Sequence, residues 1–310
     1  LFYNPFSMLY SKKSVLYYAT VLSLMLTPAC QCKKDTTRPN RPEEIPKDSH
    51  LVTVIKVNNV PKDSLVYNDQ QQVTERWDYN TTYRMWQNYI TYKYNADGYV
   101  TMVKYYNEND NTYKSLSQQD SLVWGSGTLI AYSTHYRELG SEISGYDTTW
   151  LKLNNKQQLT MLGSKDTFSV FPSGKIVYYT EYQYDGNNIR SFTNMSYNIT
   201  ANDPVSATLY TDSYAMEYNQ VRNPLYKLGA KNPYLFRTLV GDNFPDLTNK
   251  YFPFLGSERY VTNIKYKSEA IPFTNVSVTY KMLDGSNYAQ TQTFAGLNMV
   301  IGYSYKTIQL

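Results

Sequence analysis

The sequence predicts an all-β fold: an antiparallel meander of hairpins forming a curved or rolled sheet, with one short helical insertion near 233–240. Three observations carry that expectation. The chain holds 34 Tyr against 11 Phe and 4 Trp, and Tyr packs its ring on a pleated surface while its hydroxyl finds water or a partner. From Leu51 onward apolar residues recur at every second position, the period of a strand with two unlike faces. Short breaks rich in Gly, Asn and Asp separate these runs at hairpin spacing.

The elements follow in chain order. Residues 51–60 read as an opening strand. Residues 89–94 and 99–106 flank Asn95, Ala96, Asp97 and Gly98, a hairpin turn whose positive φ falls to glycine. Residues 122–124 and 128–132 flank Gly125, Ser126 and Gly127, and residues 150–153 pair with 158–162 across 154–157. Residues 168–171 and 176–184 flank Pro172, Ser173 and Gly174, and residues 189–197 follow Asp185 and Gly186. Toward the C-terminus, residues 207–218, 260–266 and 276–283 read as strands, and residues 288–294 and 299–308 close the chain after a turn at 284–287. Roughly a dozen strands are many for one flat sheet, so the sheet should curl, split or partly close. Leu235, Phe236, Leu239 and Val240 fall at helical spacing and mark the helical piece 233–240. A weak echo links Tyr92-Lys-Tyr94 before Asp97-Gly98 with Tyr182-Gln-Tyr184 before Asp185-Gly186.

The first fifty residues carry an address. Ser11, Lys12, Lys13 and Ser14 form a polar, positive opening, an apolar run fills residues 15–26, and Thr27, Pro28 and Ala29 precede Cys30. That is the layout of a secretion signal. A run of about a dozen residues is shorter than the ~20 a spanning helix needs. Cysteine directly after Ala29 resembles a lipobox, which implies cleavage before Cys30 and a diacylglycerol on its sulfur. Cys32, before Lys33 and Lys34, is the alternative, with Gln31 a poor residue at a cut. Two or three acyl chains anchor stably where one is marginal. Residues 33–50 are charged and proline-rich, a tether with a reach of roughly 20–25 Å. The expected organisation is a signal peptide at 1–29, a lipidated cysteine and tether at 30–50, and one tyrosine-rich β domain at 51–310.

Composition removes several functional classes. The net charge is +4, with Lys12 and Lys13 inside the leader, and no long basic run interleaves with aromatics, so nucleic acid is not an expected partner. No cysteine follows Cys32, and His50 and His135 are the two histidines, so no metal site and no cofactor is expected. Gly125-Ser126-Gly127 lacks the five positions of a hydrolase elbow and reads as a turn. Glycosidases need two carboxylates held across a sugar. Glu181 is the most interesting candidate, set among Tyr178, Tyr179, Tyr182 and Tyr184. Tyr92, Tyr94, Tyr179, Glu181, Tyr182 and Tyr184 together form the candidate ligand platform, with cross-strand structural ladders as the competing reading. Asp63-Ser64-Leu65, Asp120-Ser121-Leu122 and Asp147-Thr148-Thr149 have the form of bacterial O-glycosylation triplets.

Tyr-x-Tyr strands, Asp/Asn-Gly turns, Glu217-Tyr218-Asn219, Asn223-Pro224-Leu225-Tyr226 and Gly256-Ser257-Glu258-Arg259-Tyr260-Val261 resemble uncharacterised Bacteroidota lipoproteins. Those belong to domain-of-unknown-function families whose hairpins are similar to those of YD-repeat proteins. The resemblance runs from about Leu51 to the C-terminus and implies an exported, mostly β, cell-envelope protein. It brings no catalytic residues. The expected role is a non-enzymatic binding or structural module on an outer-membrane lipid anchor, periplasmic or surface-exposed, that meets a glycan or another envelope protein. Two alternatives stand beside it: a glycan-cleaving enzyme with paired carboxylates, and a carrier of apolar cargo in a rolled sheet.

Overall fold

The computed structural model describes residues 50–109, 113–137, 142–165, 169–171, 174–200, 203–239, 256–268 and 274–308. The expected leader, Cys30 and the tether up to residue 49 lie outside the described residues, as do Pro172, Ser173 and Val240. The first hairpins are β1 (His50–Val57), β2 (Val60–Tyr67), β3 (Val73–Asn80) and β4 (Met85–Tyr94). Then come β5 (Val100–Asn109), β6 (Tyr113–Gly125), β7 (Thr128–Tyr136), β8 (Ile143–Leu153) and β9 (Leu159–Gly163). The second half holds β10 (Ser169–Phe171), β11 (Gly174–Asp185), β12 (Asn188–Thr200) and β13 (Asp203–Arg222). Helices α1 (Tyr226–Ala230) and α2 (Tyr234–Leu239) precede β14 (Arg259–Ser268), β15 (Thr274–Met282), β16 (Ala289–Phe294) and β17 (Met299–Thr307).

Every pairing between these strands is antiparallel, and each strand joins its sequence neighbour except at β9. There β9 and β10 share one stave: β9 lies on Tyr179–Glu181 of β11 and β10 on Gly174–Ile176 of the same strand. β17 returns to β1, from His50↔Thr307 to Val57↔Ile301. The result is a closed barrel of sixteen staves. Closure completes the curl expected from the strand count and removes the free edges of an open sheet.

Two sequence expectations are corrected. Residues 51–60 are not one strand: the chain reverses at Asn58 and Asn59, with φ of 49° and 66°, and Val60 already belongs to β2. Two successive positive φ values are what a two-residue hairpin turn demands, and asparagine tolerates them. The strands also outnumber the predicted dozen. β2 and β3 escape the pattern because Asp63 and Arg76 face inward as an ion pair and break the apolar alternation. The helical expectation at 233–240 matches α2, and α1 is an additional short turn of helix.

Alternation assigns the two faces. On β15, Val276 and Val278 are buried between exposed Asn275, Ser277 and Thr279. The interior is a continuous core of Val, Leu, Ile, Phe and Tyr, including Leu129, Leu151, Phe192, Ile264 and Phe294. Each such aliphatic side chain contributes about 1.5–3 kcal/mol by leaving water. The outer wall is polar: Glu75, Thr91, Lys104, Gln119 and Thr134 stand in register across β3 to β7. Glu217, Asn263 and Ser277 do the same across β13 to β15. An apolar outer row, Val123, Ile130 and Trp150, lies between the polar rows that contain Ser121 and Lys152.

The tyrosines have an architectural pattern. At one end of the barrel an inward aromatic near the end of a strand donates to a carbonyl at the start of the adjoining strand. Tyr67 reaches Val52 at 2.6 Å, Tyr94 reaches Val73 at 2.6 Å, and the Trp124 indole reaches Val100 at 2.7 Å. Tyr218 reaches Ile189 at 2.7 Å and Tyr305 reaches Ala289 at 2.6 Å. Tyr184 also meets the backbone of an adjoining strand's start, but with the direction reversed: the Leu159 amide donates to its hydroxyl oxygen. The echo between Tyr92-x-Tyr94 and Tyr182-x-Tyr184 is therefore part of a wider device. The first residue sits in the core, and the second satisfies a backbone polar group where the ladder stops.

Candidate functional site

The connection between β13 and β14 turns back into this same end of the barrel. Asn223 starts it: its Oδ1 accepts the Leu225 amide at 3.1 Å, its Nδ2 donates to the Ser257 carbonyl at 2.9 Å, and its own amide donates to the Glu258 carbonyl at 2.8 Å. Pro233 precedes α2, where a missing amide hydrogen costs nothing. Asn232 accepts the Val100 amide at 2.8 Å and donates to the Gly98 carbonyl at 3.1 Å. Tyr234 donates to Asp120 Oδ2 at 2.6 Å, and the Tyr92 hydroxyl lies 2.9 Å from Thr238 Oγ1. Leu225, Leu228, Tyr234 and Leu235 are buried in the barrel core, so this segment plugs the lumen.

Arg76 is the plug's charged anchor. It donates through Nη1 to the Thr238 carbonyl and through Nε to Asp63 Oδ1 at 2.7 Å. Its Nη2 lies 2.7 Å from Asp63 Oδ1 and 2.5 Å from Asp78 Oδ1. Arg76 and Asp63 are each 1% exposed. Burial works against the guanidinium's charge, but the two carboxylates outweigh it and hold its proton more tightly than usual. Burial raises the Asp63 pKa against the pull of Arg76. Among the described ion pairs, this is the place where two carboxylates share one cation, with the guanidinium between them.

A cavity of about 60 Å³ lies between α1 and the wall formed by β9, β11 and β12. Tyr182, Tyr184, Leu159 and Ile189 line it from the barrel, and Tyr226, Gly229 and Pro233 from the plug. Its rim is a chain of amides. Asn154 donates to Gln158 Oε1 at 2.7 Å, Gln158 donates to the Gly186 carbonyl at 2.8 Å, and Asn187 donates to Glu258 Oε2 at 3.0 Å. Lys156 adds a cation beside this rim. Burial, then the charge of Glu258, pushes the Tyr226 hydroxyl up to about 12. Burial likewise raises Tyr182 and Tyr184, so all three stay neutral donors in ordinary buffers. The cavity can hold a few waters or the tip of a small ligand, below the ~300–1,000 Å³ of a full ligand cleft.

The structure distributes the six platform candidates among three places. Tyr92 is buried against Thr238, and Tyr94 is the clasp to Val73. Tyr182 and Tyr184 line the end cavity. Tyr179 and Glu181 belong to the outer wall, where Lys165 Nζ sits 2.6 Å from Glu181 Oε1 and 5.1 Å from the Tyr179 ring centre. Ring stacking runs across strands on both faces. Outside, Trp77, Tyr89 and Tyr106 stack at centroid separations of 4.6 and 4.6 Å. Inside, Phe192 stacks on Tyr214 at 4.2 Å and Tyr214 on Tyr266 at 4.8 Å. Stacked rings cover one another's faces, so these six rings form cross-strand ladders. Two of the glycosylation-like triplets have buried aspartates: Asp63 pairs with Arg76 and Asp120 accepts from Tyr234. Sequence reasoning missed Arg76, Asn223, Asn232 and Tyr226; Asn223-Pro224 and Asn232-Pro233 were the available signals.

No family model and no curated protein matches the chain. Among solved structures it is similar to a porin-like protein from Bacteroides vulgatus, at 11% identity and a TM-score of 0.38, covering 84% of this chain and 100% of that one. A porin-like protein from Bacteroides uniformis is similar at 10% identity and a TM-score of 0.31, covering 82% and 98% of the two chains.

Proposed function

We propose that this chain is an exported lipoprotein whose barrel stands in water beside an outer membrane and serves as a non-enzymatic binding module, with the plugged end as its ligand-contacting face. The polarity of the wall carries this reading. A barrel that crosses lipid presents an apolar band about 25 Å tall outward and keeps polar residues within. Here Glu75, Thr91, Lys104, Gln119 and Thr134 make a polar outer row across five adjoining staves, and Glu217, Asn263 and Ser277 another across three, while Leu, Val and Phe fill the inside. Exposed Val123, Tyr132 and Trp150 are a local apolar patch. A lysine at mid-membrane would cost about 2–4 kcal/mol. The leader, Cys30 and the likeness to Bacteroidota lipoproteins support lipid, not strands, as the anchor.

The alternatives draw less support. Glu181 is engaged by Lys165 on the outer wall, and Arg76 fills the gap between Asp63 and Asp78. The apolar interior suits an apolar cargo, but side chains of the plug already occupy it. The deciding experiment is fractionation of Cys30→Ala in a native host. Loss of acyl label and release of the protein into the aqueous fraction support the proposal. A variant that stays in the membrane and resists alkaline carbonate would overturn it.

A further inference from the structure

Three buried polar atoms on the β15–β17 wall lack a hydrogen-bond partner: the Tyr280 hydroxyl, Gln292 Oε1 and the Tyr303 hydroxyl. Gln292 is 1% exposed and Tyr303 5%. The ladder brings them together. Gln292 stands opposite Tyr280 on one side and Ile301 on the other, and Tyr303 is the next inward residue along β17. Diagonal cross-strand neighbours of this kind lie about 7–8 Å apart, within reach of long side chains. Nearby hydroxyls are already used: Tyr305 donates to the Ala289 carbonyl at 2.6 Å, and Tyr260 accepts the Ala289 amide at 3.3 Å. The Tyr260 ring lies 4.9 Å from the Tyr280 ring, giving the place an aromatic wall.

Native interiors seldom leave one such atom unpaired, and three on one patch of wall point to a third party. We infer that Tyr280, Gln292 and Tyr303 bind an uncharged ligand that offers hydroxyl or amide groups, such as a sugar ring. Two phenols can donate or accept, and the carboxamide oxygen accepts, a set that matches a hydroxylated molecule. The ionisable groups acting on Tyr280 and Tyr303 are themselves tyrosines: Tyr218 on the first, Tyr260 and Tyr280 on the second. With no opposite charge to meet it, an anionic ligand would be stranded in this interior. Tyr280 is half-buried as a residue, with its hydroxyl on the buried side. The inference deepens the binding role proposed above, and the acylation assay is independent of it.

The test is thermal unfolding of the mature protein titrated with D-glucose, N-acetyl-D-glucosamine and, as an anionic control, D-glucuronate. A saturable rise of about 3–5 °C at tenfold excess over Kd is expected with one of the neutral sugars. Gln292→Leu and Tyr303→Phe should each abolish that rise, with unliganded midpoints equal to or above the parent's because an unpaired group has been removed. No saturable shift with either neutral sugar, an equal shift with glucuronate, or a shift that survives in both variants overturns the inference. So does a pair of stabilised variants with no sugar response in the parent, which would leave ordinary water as the partner.

Discussion

Raising pH should unfold this barrel cooperatively, and the tyrosines set where. Tyr67, Tyr92, Tyr94, Tyr105, Tyr182 and Tyr184 all have hydroxyls that burial holds above the ordinary value of 10.0. So do Tyr218, Tyr260, Tyr280, Tyr303 and Tyr305. Below pH 10 both folded and unfolded chains keep these protons, and the groups contribute no pH dependence. Above it the unfolded chain releases protons that the folded chain retains, so stability falls as pH rises. Each fully protected group contributes about 1.4 kcal/mol of loss one pH unit above its unfolded value. Eleven together lose about 15 kcal/mol there and about 9 kcal/mol half a unit above it. A domain's whole stability is about 5–15 kcal/mol, so the midpoint should fall between about pH 10 and one unit above it. The assay is the phenolate band in the near-ultraviolet, followed together with far-ultraviolet circular dichroism. A single sharp step in both signals is expected. Gradual ionisation of all the tyrosines with the dichroism intact would refute the packing described here.

Arg76→Met should destabilise the barrel by about 3–5 kcal/mol in denaturant unfolding, because Asp63 would be left buried without its partner. Tyr94→Phe and Tyr184→Phe should each cost about 1 kcal/mol by leaving a backbone group unpaired at the barrel end, the Val73 carbonyl in the first and the Leu159 amide in the second. Their losses should add in the double variant, since the two clasps lie on separate staves. Gly163→Ala should cost about 1–3 kcal/mol by the same measurement. Gly163 sits at φ 87°, and an added Cβ would meet the Tyr178 carbonyl at 2.6 Å.

The all-β class was legible because period-two alternation and Gly/Asn/Asp turns are local signals. Gly98, Gly127, Gly186 and Gly285 all have the positive φ their hairpins call for. Closure was not legible, since pairing of β1 with β17 depends on contacts at the two far ends of the described chain. Nor could alternation say which face looked inward: Tyr89 and Tyr92 are equally aromatic, yet the first stacks outside and the second is buried. The Tyr-x-Tyr motif was visible, but its meaning came only with its backbone partners, the Val73 carbonyl and the Leu159 amide. In the site, Tyr182 and Tyr184 were chosen for their rings and do line the cavity. The plug's contribution stayed hidden, because Asn223 and Asn232 look like ordinary loop asparagines until their side chains are seen binding backbone more than thirty residues away.

The seam between His50–Val57 and Met299–Thr307 has a consequence for assembly. Every other stave can zip onto a neighbour nearby in the chain, whereas this one waits for both extremities of the domain to meet, the slowest kind of encounter a polypeptide makes. Until the last strand emerges from the machinery that synthesises or exports it, a growing sheet carries two unsatisfied margins, each able to recruit a second copy. A host that makes this chain therefore needs to keep it from its own kind until the circle is shut.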